Sequence, residues 1–412
     1  MAKNIVILFD GTSNEISADR TNMVRLLGCL TRSEDQLVYY EPGVGTFGAE
    51  DDWLRLARKT AEVWGLATGW GLDRNVKRAY RFLVENYRHA PRDEAGNKLG
   101  EDDRIYILGF SRGAYSARVL AGFINSLGIV TPNFINLVDY TYRTYKTIPK
   151  TQRRGETAEH THAAPSAFAA MRLYERTLRA YRPAIVFLGL FDTVSTVINQ
   201  TQNGLTFQTF PFTTRNPSVA AVRQARGIDE RRTMFRPVYW QEGQDYWGGP
   251  FKPRDLHMIK PQDIKEVWFA GSHGDVGGGY PEAQSGEAKI PLAWMIEESR
   301  TFGMHYDEDV VRAVVYGKDD TTDRVSPSAL APIHDSMTWA WRILEIVPRR
   351  VPFSSWRSRP PKGWYLPLCD LRYIPNGSLV NRSVIERLGS PSPDGPYAPP
   401  NLPAKDHYRV EP

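Results

Sequence analysis

Three short apolar runs constrain this chain more than any other feature. Ile5–Phe9, Ile105–Leu108 and Ala184–Leu190 contain no charged side chain and are rich in β-branched and aromatic residues. A strand with one wet face alternates polar and apolar residues, so uninterrupted runs of this kind belong inside a sheet covered on both faces. Glu266–Ala270 and the weaker Leu37–Tyr40 extend the set, and helical periodicity separates them at Trp53–Trp64, Leu72–Tyr87, Ala114–Ser126 and Ala167–Tyr181. This alternation predicts an α/β fold: a doubly wound, mainly parallel sheet with helices on both faces and surface insertions.

The predicted strands end in chemistry. They run into Asp10-Gly11-Thr12, Gly109-Phe110-Ser111-Arg112-Gly113, Phe191-Asp192-Thr193 and Gly271-Ser272-His273-Gly274-Asp275. In a parallel sheet these exits share one edge, the edge where ligands bind. The second exit has the G-x-S-x-G pattern in a strand–turn–helix setting, which makes Ser111 a candidate nucleophile on a strained elbow and the fold α/β-hydrolase-like. A bland alternative has Ser111 only capping the helix.

A serine nucleophile needs a base, and the base an orienting carboxylate, which follow in the chain order acid then histidine. Of eight histidines, His89, His160, His162 and His407 lie in polar segments, leaving His257, His273, His305 and His334. Asp192 with His273 is the leading pair because both leave buried strands. Asp275 with His334 obeys the same order and stays open. Oxyanion donors are expected from the amide of Arg112 and from Gly11 or Thr12, with Asp10 bracing that loop. Asp10 read as a phosphoaspartate nucleophile would require a second aspartate where Thr12 stands.

Composition sets few limits. The 412 residues are 41% hydrophobic and 24% charged, with a formal net charge of +5, as in an ordinary globular protein. Cys29 and Cys369 give neither a disulfide framework nor zinc spacing, leaving a single bridge between them open. No cofactor, metal or nucleic acid is expected, although Asp10 and Asp275 are the residues a metal would use. No signal-peptide pattern or apolar stretch of about 20 residues occurs, so cytoplasmic synthesis is expected, with signal-less secretion left open.

Taken in order, several motifs resemble a known family. They are Phe9-Asp10-Gly11-Thr12, Thr21-Asn22, Tyr40-Glu41-Pro42-Gly43-Val44-Gly45-Thr46, Gly69-Trp70-Gly71-Leu72 with Ala79-Tyr80-Arg81-Phe82, and the Ser111 elbow. Phe191-Asp192-Thr193-Val194, Asp229-Glu230-Arg231-Arg232, the run from Trp268 to Tyr280, and His334-Asp335-Ser336 follow. The set resembles an uncharacterised α/β-hydrolase domain family whose best-understood members are the catalytic domains of type VI secretion phospholipase effectors. The resemblance implies a Ser–Asp–His hydrolase acting on phospholipid esters, with carry-over onto Ser111, Asp192 and His273. One departure is Arg223-Gln224-Ala225-Arg226, where the family would place a histidine. A non-catalytic, hydrolase-fold subunit that binds a protein partner is therefore the alternative.

The expected organisation is a catalytic domain over residues 1–335, with insertions near 146–166 and 199–260, and a Trp-, Arg- and Pro-rich extension over 336–412. Trp339, Trp341, Trp356 and Trp364 among Arg342, Arg349, Arg350, Arg357 and Arg359 suit peripheral membrane contact. Pro348, Pro352, Pro360 and Pro361 rule out one long amphipathic helix and favour Trp339 and Ile343 packing on the core. Arg223, Arg226, Arg231 and Arg232 either clamp a phosphate or pair with Asp229 and Glu230. The tail after Ser390 is expected to be irregular.

Overall fold

A computed structural model describes residues 2–11, 19–43, 70–91, 93–94, 98–148, 166–194, 198–201, 204–207, 210–249, 253, 255–318, 324–350, 364–391 and 395–412. The expected helix at Trp53–Trp64, Thr12, and most of the 146–166 segment lie outside them.

One sheet organises the chain. Its strands are β1 (Asn4–Phe9), β2 (Gln36–Glu41), β3 (Arg104–Phe110), β4 (Ile185–Phe191), β5 (Val219–Gly227), β6 (Asp263–Phe269), β7 (Leu379–Asn381) and β8 (Arg409–Glu411). They lie in the order β8-β7-β6-β5-β4-β3-β1-β2, and every pairing is parallel. Side chains alternate between two buried layers: Ile5, Ile7 and Phe9 enter one, Val6 and Leu8 the other. Each layer is completed by helices, which is why these strands read as continuous apolar runs. Helices α1 (Asn22–Cys29), α2 (Trp70–Asn86) and α3 (Arg112–Leu127) follow the first exits. From β1 the chain steps outward to β2, then returns across β1 to β3. The switch point therefore falls between β1 and β3, with Asp10 on one side and Ser111 on the other.

Three expectations are corrected. The 199–260 stretch is not all insertion, because it contains the interior strand β5. Arg223, Gln224 and Arg226 interrupt that strand's apolar pattern, yet all three are buried. Arg223 pairs with Asp263 and Glu298, and Arg226 with Glu266, so neither takes Asp229 or Glu230 as partner. The tail is not wholly irregular, since Arg409–Glu411 pairs with Leu379–Asn381, which itself pairs with β6. Leu379–Asn381 and Arg409–Glu411 thus complete the edge of the same sheet. Cys29 and Cys369 are unbridged.

Candidate active site

Because all eight strands are parallel, their exits meet on one edge, and the functional side chains come from five of them. Ser111 directly follows β3 with φ 58° and ψ −123°, and Asp192 directly follows β4 with φ 41°. Non-glycine residues avoid positive φ, and such strain persists only where the surroundings hold it, commonly at functional sites. The surroundings here are tight. A Cβ at Gly113 would lie 2.3 Å from the Phe9 carbonyl oxygen, and one at Gly109 2.5 Å from that of Gly113. The two glycines let the head of α3 press against β1 and throw Ser111 clear. Ser111 occupies the cap position of α3 but makes no side-chain cap bond.

Its hydroxyl instead meets His273. Ser111 Oγ is 2.8 Å from His273 Nε2, and His273 Nδ1 is 2.5 Å from Asp192 Oδ2. His273 opens helix α4 (His273–Gly277) directly after β6. Its ring lies between Phe110 and Phe235, with centroids 4.8 Å away on each side. Gly277 permits this, because a Cβ there would overlap the Phe110 ring. Burial pushes the imidazole below its usual pKa against the opposing pull of Asp192. Burial alone would raise the Asp192 carboxyl, but the charge of Arg372 and the bond to His273 hold it well below the usual carboxylate range.

The second pair also forms, separately. His334 Nδ1 lies 2.6 Å from Asp275 Oδ1, and its ring stacks on Tyr280 at 3.7 Å. Its Nε2 faces Gln284 at 3.3 Å rather than Ser111. Asp275 Oδ2 accepts the amides of Ser272 and His334, so the pair braces the turn that carries His273.

The remaining candidates divide. Arg112 begins α3 next to Ser111. The Gly11 amide, expected to face an oxyanion, donates instead to Asp10 Oδ1 at 2.6 Å. Asp10 Oδ2 accepts from Thr21 and Tyr40 hydroxyls, which makes Asp10 a brace. Gln224 is buried beneath the site, accepting from Thr193 and Arg118 and donating to Val238. Among the described residues, no three His, Cys, Asp or Glu side chains gather as metal ligands.

Sequence reasoning missed the outer ring. Glu230, from the β5 exit, accepts Arg232 in a bidentate pair at 2.9 and 2.8 Å and takes the His273 amide at 3.2 Å. Burial would raise its carboxyl, but Arg232 brings it down to about 2. Arg232 also lies over the Phe235 ring, which packs edge-on against Trp341. Trp341 belongs to helix α5 (Trp339–Glu345). Trp339 and Ile343, expected on the core, are 74% and 51% exposed instead, because this helix turns Trp341 and the buried Glu345 inward. Asp229-Glu230-Arg231-Arg232 and Trp341 had been signalled in the sequence, whereas Arg372 had no signal.

The architecture is that of an α/β-hydrolase-like fold. The chain belongs to the family described as T6SS, Phospholipase effector Tle1-like, catalytic domain, whose profile matches residues 3–298. It is 31% identical over 245 residues to the uncharacterized protein YEL023C of Saccharomyces cerevisiae, covering 57% of this chain and 32% of that one. Two solved structures, each 18% identical, are also similar. An uncharacterized protein from Pseudomonas aeruginosa has a TM-score of 0.37, covering 74% of this chain and 46% of its own. The Tle1 effector bound to the VgrG spike of the type 6 secretion system has a TM-score of 0.31, covering 69% and 53%. The match thus spans about a third of the yeast relative and about half of each solved chain. Among the described residues no helix is long and apolar enough to cross a membrane.

Proposed function

We propose that this chain is a serine hydrolase that cleaves the carboxylic ester of a phospholipid through an acyl-enzyme. The observation that carries this reading is the unbroken line from Ser111 Oγ through His273 to Asp192. Ser111 attacks the ester carbonyl while His273 Nε2 takes its proton, and Asp192 holds the ring and stabilises the imidazolium. The tetrahedral oxyanion lies against the head of α3, where the Arg112 amide is the nearest donor in this reading. His273 returns the proton to the leaving alcohol, and water then releases the fatty acid by the same route. Family membership supports the lipid ester as substrate.

The surface beside the site supports contact with a bilayer. Trp339, Ile343, Ile346, Val347, Leu366 and Leu368 are all substantially exposed, and Arg342 stands among them. The backbone amide of Leu368 donates to the Glu345 carbonyl oxygen at the end of α5, which joins the two segments into one face. Trp and Arg together suit an interfacial surface. Trp341, Phe235 and His273 connect this face to the nucleophile.

A serine-directed fluorophosphonate probe tests the reading. Wild type labels and releases fatty acid from phospholipid vesicles, and Ser111→Ala does neither. A wild-type protein that fails to label, or a Ser111→Ala variant that labels equally, sinks it in favour of a non-catalytic scaffold.

A further inference from the structure

The Asp192 carboxylate is held from two sides, and the reaction uses only one of them. Opposite His273, Arg372 Nη1 donates to Oδ1 at 2.6 Å and Nη2 to Oδ2 at 2.9 Å. Two parallel bonds from one guanidinium fix the plane of a carboxylate as well as its place. The same guanidinium donates to the carbonyl oxygens of Gly227 at 2.9 Å and Phe235 at 2.8 Å, so the β5 exit immobilises it in turn. Both partners are buried, and Arg372 lies outside the residues matched by the family profile.

We infer that Arg372 is a positioning residue for hydrolysis, setting the plane of the Asp192 carboxylate against His273 and offsetting its charge. This rests on the reading of Ser111, His273 and Asp192 as the reacting set. The charge argument follows from what surrounds the imidazole. Asp192 from the β4 exit and Glu230 from the β5 exit are its acidic neighbours. Arg372 from the C-terminal segment answers the first, and Arg232 the second. On its own helix, Asp275 turns away to His334. Without Arg372, a buried and uncompensated Asp192 would stabilise the imidazolium, and His273 would already carry a proton when it should accept one. The geometric argument is independent of charge. With φ positive at Asp192 the backbone is strained, and the fork from Arg372 keeps the carboxylate aimed at Nδ1. A purely structural Arg372 would clip the β5 exit to the C-terminal segment and leave proton affinity untouched.

The test is the pH dependence of kcat/KM for a soluble p-nitrophenyl ester, using the full chain as wild type, Arg372→Gln and Arg372→Lys, with a thermal melt of each. In Arg372→Gln the acid limb moves up by about one pH unit or more, because a charge at ~4–6 Å shifts a pKa by roughly 1–3 units. At neutral pH kcat falls by at least about tenfold, while KM changes little. Arg372→Lys keeps the charge and loses the fork, so it retains the wild-type acid limb and recovers only part of kcat. A folded Arg372→Gln whose acid limb does not move overturns the inference. Should that variant not fold, Arg372→Lys decides: wild-type kcat, or a shifted acid limb, overturns it. Wild type that neither turns over ester nor labels with fluorophosphonate removes the hydrolase reading itself, so the two failures are distinguishable.

Discussion

At the scale of single residues, two histidine–aspartate pairs stand on one sheet edge, and chain order alone could not choose between them. What separates them is the partner of each Nε2: Ser111 for His273, Gln284 for His334. His273→Ala is therefore expected to lose phospholipid hydrolysis by at least roughly ten-thousand-fold. His334→Ala should keep activity within a few-fold. It should nevertheless lose about 1–3 kcal/mol of stability, because buried Asp275 is left short of a donor. Vesicle hydrolysis and thermal melts of both variants check this; full activity in the first, or a folded but inactive second, reverses the assignment. Ser111 was legible because a buried strand, two glycines and a helix frame it locally. Arg372 was not, since a single arginine between Leu371 and Tyr373 has no spacing that points to a partner 180 residues earlier in the chain.

At the scale of elements, the turn that carries Ser111 depends on how closely β1 and α3 approach. A Cβ at Gly113 would meet the Phe9 and Asp10 carbonyl oxygens at 2.3 and 2.5 Å, and backbone atoms cannot rotate aside. Gly113→Ala should therefore cost about 1–3 kcal/mol and displace Ser111 enough to slow fluorophosphonate labelling. An unchanged melting temperature with wild-type labelling would show that β1 and α3 are not tightly coupled. The strands that sequence reading found are those that carry an uninterrupted apolar run, such as Ile5–Phe9 in β1 and Ile105–Leu108 in β3. β5 escaped because its arginines are neutralised by Asp263, Glu266 and Glu298, acids that lie about 40 or more residues further on. β7 and β8, at three residues each, are too short for any period to register.

At the scale of the whole molecule, the boundary expected at residue 335 does not divide the sheet. β7 and β8 extend the edge beyond β6, while Ser336 and Arg372 reach back to Glu230 and Asp192. The C-terminal segment therefore serves two surfaces, the inner side of the site and the exposed apolar face beside it. Composition announced that face through its tryptophans and arginines, but not which side of each residue would be wet. The outcome is measurable because Trp339 and Ile343, one helical turn apart, contribute little to the core. Fully burying such a side chain in an apolar phase is worth about 1.5–3 kcal/mol, or roughly a ten- to hundredfold change in affinity for each. Trp339→Ser and Ile343→Ser should each weaken flotation with anionic phospholipid vesicles by about that factor and slow hydrolysis of vesicle lipid in parallel. Turnover of a soluble ester and the thermal melt should stay at wild-type values, because neither side chain approaches Ser111. Undiminished flotation would refute the bilayer reading, and a change in oligomeric state on sizing would assign the face to a second copy of the chain instead.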